Sequence, residues 1–483
     1  MAREASRDLM DVDKARAFAD AFWEEKILPA LSEYIRIPVL SRAFDPDWET
    51  NGHTDRALAL VGDWLEENVP PEASVRVGKI PGRTPVLLIE IPGDADRTVL
   101  MYGHLDKQPE MSGWRPGLSA WTPVREGDRL YGRGGADDGY AVFASVAALR
   151  AVEEQNLRHA RVVILIEFSE ESGSPDLPAY MKDFSSVIGT PDLIVALDSG
   201  VASYERIWST TSLRGVVGCA LKVEVLREGV HSGDGSGIVP SSFRIARQLL
   251  SRLEDETTGV VRPEGLRVPI PEGRLEEARA AAAALGEEIH SVFPWVSGMR
   301  PLSADPVELL LNRTWRPQLE ITGQEGIPRL GDAGNVLRPF TTLKLSMRIP
   351  PTLSASRAQE ILLETLSREP PYGARVSSEL DEPAGGWDAP ALAPWLREAL
   401  DENSQALFGE KAMHLGDGGS IPFIGTLGRT FPDAQFFITG VLGPESNAHG
   451  PNEFLEIGYA KKLTAAVASV LAAQLARGGR LRG

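Results

Sequence analysis

The chain has 483 residues, a single cysteine (Cys219), and ordinary apolar and charged fractions of 42% and 24%. That length builds a large core without staples, and one cysteine excludes an internal disulfide framework or a thiolate zinc cluster. Fifty basic against 68 acidic residues leave a net charge of −18, which disfavours nucleic acid and anionic membrane as partners but suits a chain that holds divalent cations.

In chain order, residues 12–37 carry apolar side chains at helical spacing (Phe18, Phe22, Ile27, Leu28, Leu31, Tyr34, Ile35), and a second helix fits 55–68. Continuous apolar runs follow at 86–91, 98–102, 162–168 and 193–197, which predict strands buried on both faces. An alanine-rich helix at 140–152 lies among them, so strands and helices alternate as in a mostly parallel α/β sheet. The texture then changes. Residues 216–226 and 343–349 alternate like half-exposed strands, while 242–253 and 355–366 read as amphipathic helices, a small α+β unit of ferredoxin-like kind. Residues 255–340, rich in Pro, Gly and Arg, give no clear pattern. After Gly385-Gly386-Trp387 a helix at 392–408, a strand at 435–438 and a helix at 459–476 resume the first pattern. The predicted organisation is an α/β domain in two parts, 1–211 and 387–483, interrupted by the small α+β unit at 212–386. The N-terminal MAREASRDLMDVDK lacks a signal-peptide apolar core, and no apolar stretch nears the ~20 residues of a membrane helix, so the expected address is the cytoplasm.

Three of the buried runs lead into polar residues: Gly103-His104-Leu105-Asp106, Ser169-Glu170-Glu171 and Asp198. Ligands of open parallel sheets bind at the carboxyl ends of the strands, so these residues share a rim. Gly132–Gly139, just before a helix, adds Asp137, and the loop after the last strand adds His449. Imidazole and carboxylate without thiolate suit zinc, manganese or a similar ion. Five such ligands exceed one tetrahedral zinc with an open site, and fit two metals sharing a carboxylate. Asp106, two residues after His104, is placed to orient the imidazole; Glu170 suits a general base acting on water whose pKa a metal has lowered. Asp138 is read as a helix N-cap, and His53, His159, His290 and His414 as ordinary histidines. There is no GxxxxGK[ST], G-x-S-x-G or H-E-x-x-H pattern, which argues against a P-loop, a serine hydrolase of that type and a zincin.

Taken together, Tyr102–Asp106, Gly132–Gly134 with Asp137-Asp138, Glu170–Ser174, Leu197-Asp198 and Asn447–His449 resemble the signature segments of the M20 metallopeptidases. They occur in the same order over most of the chain, and Gly418–Pro422 is most similar to the branch of carnosinase and cytosolic nonspecific dipeptidase. The resemblance implies two divalent ions, zinc first with manganese or cobalt as alternatives. His104 and Asp198 would hold one, Glu171 and His449 the other, with Asp137 bridging. It implies a cis Asp137–Asp138 peptide, and Glu170 as the base that activates a metal-bridging water and delivers its proton to the leaving amine. It implies that 1–211 and 387–483 form the catalytic domain and that 212–386 is a lid and dimerisation domain through which a homodimer forms, with His231 reaching the partner's site to stabilise the oxyanion. Asn335, Arg348 and Ser420 would bind substrate oxygen and the C-terminal carboxylate. The family's Asn-Val-Ile-Pro is here Asn335-Val336-Leu337-Arg338-Pro339, with the spacing to Arg348 kept. The expected activity is hydrolysis of dipeptides or short peptides with a free C-terminal carboxylate. The alternatives are deacylation of N-acyl or N-carbamoyl amino acids and, outside enzymes, a metal-bound binding protein.

Overall fold

A computed structural model describes residues 10–93 and 97–478. The elements that matter for the site are, in chain order, α1 (Val12–Phe22), α2 (Leu28–Ile35), α3 (His53–Asn68), β1 (Ser74–Gly78), β2 (Val86–Ile91), β3 (Thr98–His104), α4 (Tyr140–Glu154), β4 (Arg161–Glu167) and β5 (Leu193–Ala196). There follow β6 (Gly215–Glu224), α5 (Ser242–Leu253), β7 (Gln318–Glu325), β8 (Phe340–Ile349), α6 (Ala355–Ser367) and β9 (Arg375–Leu380). Last come α7 (Pro394–Phe408), β10 (Gln435–Ile438) and α8 (Ile457–Gly478).

The chain divides into two compact units. Among the described residues, the first takes those up to Thr210, then Ala389–His414, and those from Thr426 to 478. Its sheet has the order β1-β2-β4-β3-β5-β10. The β4–β3, β3–β5 and β5–β10 pairs are parallel, while β1 and β2 join antiparallel at the other edge. Every residue of β3 and β5 is buried, which is why these strands read as unbroken apolar runs rather than alternating ones. The exposed edge strand β1 lacks that pattern and has no clear sequence signal. α8 packs on α4, α7 and α1. Trp23, fully buried just after α1, donates from its indole nitrogen to Thr464 Oγ1 of α8 at 2.9 Å, so the N- and C-terminal segments share one core. Four mutually parallel strands thus present their carboxyl ends on one side, the side that carries His104 and the residues following β4 and β5.

The second unit comprises Thr211–Asp388 with Leu415–Gly425. Its four strands are antiparallel in the order β7-β8-β6-β9. With α5 after β6 and α6 after β8 this is a β-α-β-β-α-β, ferredoxin-like unit. The strands alternate as expected: Val217, Cys219, Leu221 and Val223 of β6, with Leu343, Leu345 and Met347 of β8, face a core completed by Ile245, Leu249, Leu362 and Leu366 of the two helices. Ser241 and Ser354 start those helices by accepting the backbone N–H of Arg244 and Arg357. The segment 255–340, opaque in the sequence, contains helices Glu272–Leu285 and Pro306–Thr314 and the strand β7. One assignment needs correction. Leu415–Gly425, expected in the resumed catalytic domain, clusters with the inserted unit. The buried Arg214 accounts for this: its Nε donates to Gly418 O at 3.1 Å, and Ser420 Oγ donates to Arg214 O at 2.6 Å.

Candidate metal centre and active site

Each candidate ligand of the first unit sits where a strand ends or a loop turns. His104 is the last residue of β3, in register with Glu167 of β4. Gly103 before it has a structural reason: a Cβ there would lie 2.6 Å from Asp138 Oδ2, and without one that carboxylate accepts the His104 backbone N–H at 3.2 Å. Asp138 therefore does not cap α4 as predicted; α4 has no side-chain cap, and the carboxylate turns toward β3 instead. The Asp137–Asp138 peptide is cis, as the resemblance implies. Glu170 and Glu171 lie in a short 3₁₀ turn after β4. Asp198 follows β5 by two residues, and His449 lies in the loop after β10.

These side chains gather into two groups. His104, Asp137 and Asp198 form one, and Asp137, Glu171 and His449 the other, each with donor atoms within 4.8 Å of one another. Asp137 belongs to both through different oxygens. Its Oδ1 is 3.4 Å from His104 Nε2, and its Oδ2 is 2.9 Å from His449 Nε2. Asp198 Oδ1 stands 3.7 Å from His104 Nε2, and Glu171 Oε2 3.3 Å from His449 Nε2. Adjacent in sequence, Glu170 and Glu171 diverge, for Glu170 Oε2 is 4.0 Å from His104 Nε2. His53, His159, His290 and His414 are in neither group.

Asp106 does more than orient the imidazole, and partly by another atom than expected. His104 Nδ1 is hydrogen-bonded to the Asp106 backbone carbonyl at 3.1 Å, with the carboxylate 3.4 Å away. The two carboxylate oxygens accept the N–H groups of Glu170 and Glu171, at 3.1 and 3.0 Å. One fully buried aspartate thereby sets both the His104 ring and the turn that carries the two glutamates. Gln108, not foreseen, donates to Glu171 Oε2 at 2.7 Å.

The charges explain what such a cluster requires. Burial, reinforced by Asp198, pushes the Glu170 carboxyl well above the usual range. Burial and then Asp137 lift Glu171 to about 8. Burial alone would depress the His104 imidazole, but Asp198 and the contacts with Asp106 and Asp137 outweigh it and hold the ring well above its ordinary value. His449, likewise disfavoured by burial, is raised to about 9, first by Asp137 and then by Glu171. Asp137 is held below the usual range because the imidazoles of His104 and His449, 3.4 and 2.9 Å from its two oxygens, overcome its burial. Carboxylates and imidazoles this close repel or compete for protons unless cations share them. His104 Nε2 and Asp138 Oδ1 are buried without a hydrogen-bond partner, and the Nε2 faces three carboxylates. A donor set of two imidazoles and three carboxylates, with an orphaned ring nitrogen among them, fits divalent metal ions.

The remaining candidates lie in the second unit. His231 and Asn335 meet at a two-residue ribbon in which Val230–His231 pairs with Val336–Leu337, and the Asn335 carbonyl accepts the Ser232 N–H at 2.9 Å. The His231 side chain is 67% exposed and Asn335 is also exposed, so neither is held by packing. Arg348, on the face of β8 away from the helices, donates to Ser420 Oγ at 3.0 Å. Arg214 lies beneath this pair and was not foreseen. Burial first, and then Arg348, lower its guanidinium to about 10, and it donates to the carbonyls of Asn312 and Arg316.

A parallel-sheet unit whose rim holds two overlapping imidazole–carboxylate groups, interrupted by a ferredoxin-like unit, defines a metal-using hydrolase of metallopeptidase type. The profile of Peptidase family M20/M25/M40 matches residues 100–473, and the chain belongs to that family. It is 28% identical over 376 residues to a cysteinylglycine-S-conjugate dipeptidase of Corynebacterium striatum, covering 75% of this chain and 78% of the relative. It is 27% identical over 427 residues to the beta-Ala-His dipeptidase of Homo sapiens, covering 83% and 80%. The fold is similar to that of human carnosine dipeptidase 1, with a TM-score of 0.75 over 96% of this chain and 99% of the other, at 22% identity. The chain is accordingly a hydrolase, and the reading as a non-catalytic binding protein gives way. Among the described residues, no helix is long and apolar enough to cross a membrane.

Proposed function

We propose that this enzyme is a two-metal dipeptidase acting on dipeptides or short peptides with a free C-terminal carboxylate. The observation that carries the reading is the division of Asp137 between the two groups, one oxygen toward His104 and one toward His449, with Glu170 beside the first. In this reading His104 and Asp198 would hold one ion, Glu171 and His449 the other, with Asp137 common to the two groups. Zinc is the first choice, manganese or cobalt the next. The ions supply Lewis acidity to the scissile carbonyl and acidity to water.

The protein's own groups handle the protons and the substrate. Glu170 takes a proton from the attacking water as the new C–O bond forms. It gives that proton to the amide nitrogen as the C–N bond breaks, so that a carboxylate and an amine leave. Asp106 keeps Glu170 at the end of β4 through the backbone contact already described. His231, contributed by the partner of a homodimer formed through the inserted unit, donates to the developing oxyanion. Asn335 binds a substrate oxygen. Arg348, with Ser420 fixed at 3.0 Å, takes the C-terminal carboxylate. The two relatives named as dipeptidases support a dipeptide over an N-acyl or N-carbamoyl amino acid. A cytoplasmic address belongs to the same reading, and cell fractionation tests it.

The test is dialysis against chelator followed by assay with zinc, manganese or cobalt restored. Unblocked dipeptides and N-acetyl amino acids are run side by side. Dipeptide cleavage returning with metal supports the proposal. Hydrolysis confined to N-acetyl amino acids would move the function to the deacylase reading.

A further inference from the structure

Outside the two groups, one buried charged pair spans the loops that carry their shared member and their most exposed member. Arg133 precedes Asp137 by four residues, and Glu453 follows His449 by four. The side chains are 1% and 0% exposed, and they form an ion pair through Arg133 Nη1. Arg133 Nη2 donates to Gly450 O at 2.8 Å, and its Nε to Pro109 O at 3.3 Å. The other Glu453 oxygen accepts the Gly134 N–H at 2.8 Å, and the Glu453 carbonyl accepts the Gly132 N–H at 3.0 Å. Gly134 adopts φ +77°, and a Cβ there would come within 2.6 Å of Lys107 Cε, so the loop approaches this closely only as glycine. Lys107, itself buried, is anchored on the carbonyls of Tyr34, Ile35 and Ile37.

The two metal groups are built differently. His104 ends β3 and Asp198 follows β5, adjacent strands whose ladder sets their spacing. Asp137 and His449 stand on loops. A short ladder between Arg129–Tyr131 and Phe454–Glu456 brings those segments together, and the Arg133–Glu453 pair continues the connection past its end toward the site. A buried ion pair is weak support for stability, because desolvation offsets its attraction. Its fork of fixed donors is instead a means of fixing distance and orientation.

We propose that Arg133 and Glu453 are positioning residues that place the His449 loop against Asp137, and with it set the affinity of the metal position formed by Asp137, Glu171 and His449. The proposal rests on the two-metal reading above. The experiment is titration of the chelator-treated full chain with cobalt(II), followed by visible absorption, for the unaltered enzyme, Glu453→Gln and Arg133→Lys. The unaltered enzyme should take up two ions. Each variant should keep the first within about threefold and bind the second roughly 10–100-fold more weakly, with an unchanged far-UV circular dichroism spectrum. Should Glu453→Gln fail to fold, because it leaves a buried guanidinium unpaired, Arg133→Lys decides: it keeps the charge and loses the fork. Equal weakening of both ions, or of neither, would overturn the proposal. Uptake of fewer than two ions by the unaltered enzyme would instead overturn the two-metal reading, and that curve alone delivers the result.

Discussion

In the α/β unit, His104 and Asp106 are buried and tied to neighbours whose own positions are set by strand ladders or buried hydrogen bonds, and Asp137 is buried between His104 and His449. In the inserted unit, His231 and Asn335 stand in solvent on a two-residue ribbon, and of its candidates only Arg348 and Ser420 are held. The contrast has an energetic meaning. Groups fixed in a low-dielectric site need no reorganisation when charge develops, so they serve the chemical step. Exposed groups lose side-chain freedom only when a ligand engages them, so part of their contribution is spent in ordering. Substitutions in the first unit should act on metal content and turnover; in the second, those at Arg348 should act on substrate engagement, and those at His231 on turnover once substrate has engaged it.

The largest expected effect is that of Glu170→Gln, which removes the proposed proton carrier and keeps the shape. Turnover should fall by roughly 10²–10⁴-fold while bound metal, measured by elemental analysis, stays at the level of the unaltered enzyme. Retained turnover would remove Glu170 from its role. Next is His231→Ala, with an expected loss of about 10²–10³ in kcat and unchanged metal content. Sedimentation of the unaltered enzyme at assay concentration accompanies it, since an active monomer would exclude a histidine donated by the partner. Arg348→Ala comes third. It should raise KM roughly tenfold to a hundredfold for dipeptides and leave dipeptide amides, which lack the carboxylate, nearly unaffected.

The smallest effect concerns pH. Glu171 is raised from 4.5 to about 8 and His449 from 6.5 to about 9. Both shifts favour the protonated folded state. Their stabilisation is complete below the ordinary values and is lost as pH rises through 8 and 9. Asp137 is shifted the other way and stays ionised throughout this range. The melting temperature of chelator-treated protein should therefore fall between pH 6.5 and 9, and more steeply than that of metal-loaded protein, in which cations take the place of those protons. Parallel curves would break the link between the cluster's charges and its cations.

Much of this architecture is legible in the sequence. β3, β4 and β5 are buried on both faces, so their apolar runs are continuous, and the polar residues that interrupt them mark the rim. The ferredoxin-like unit declared itself because β6 and β8 cover helices on one face only and so alternate. β1 was missed because an exposed edge strand has no apolar face to report, and β7 because Gln318–Glu325 is mostly exposed. Helix Glu272–Leu285 was missed because its alanines give little contrast between faces.

The sequence alone singled out His104, Asp137, Glu170, Glu171, Asp198 and His449 as candidates, since metal and proton chemistry is intrinsic to these residue types and most of them follow strand ends, and folding gathers them. How they are supported was settled only by the tertiary structure. Asp138 turning to the His104 amide, Asp106 holding the glutamate turn, Arg214 drawing Leu415–Gly425 into the inserted unit, and Glu453 reaching Arg133 across 320 positions all depend on long-range contacts. Local pattern reports a residue's own periodicity and chemistry. It carries no signal for a partner that only folding brings within hydrogen-bond reach.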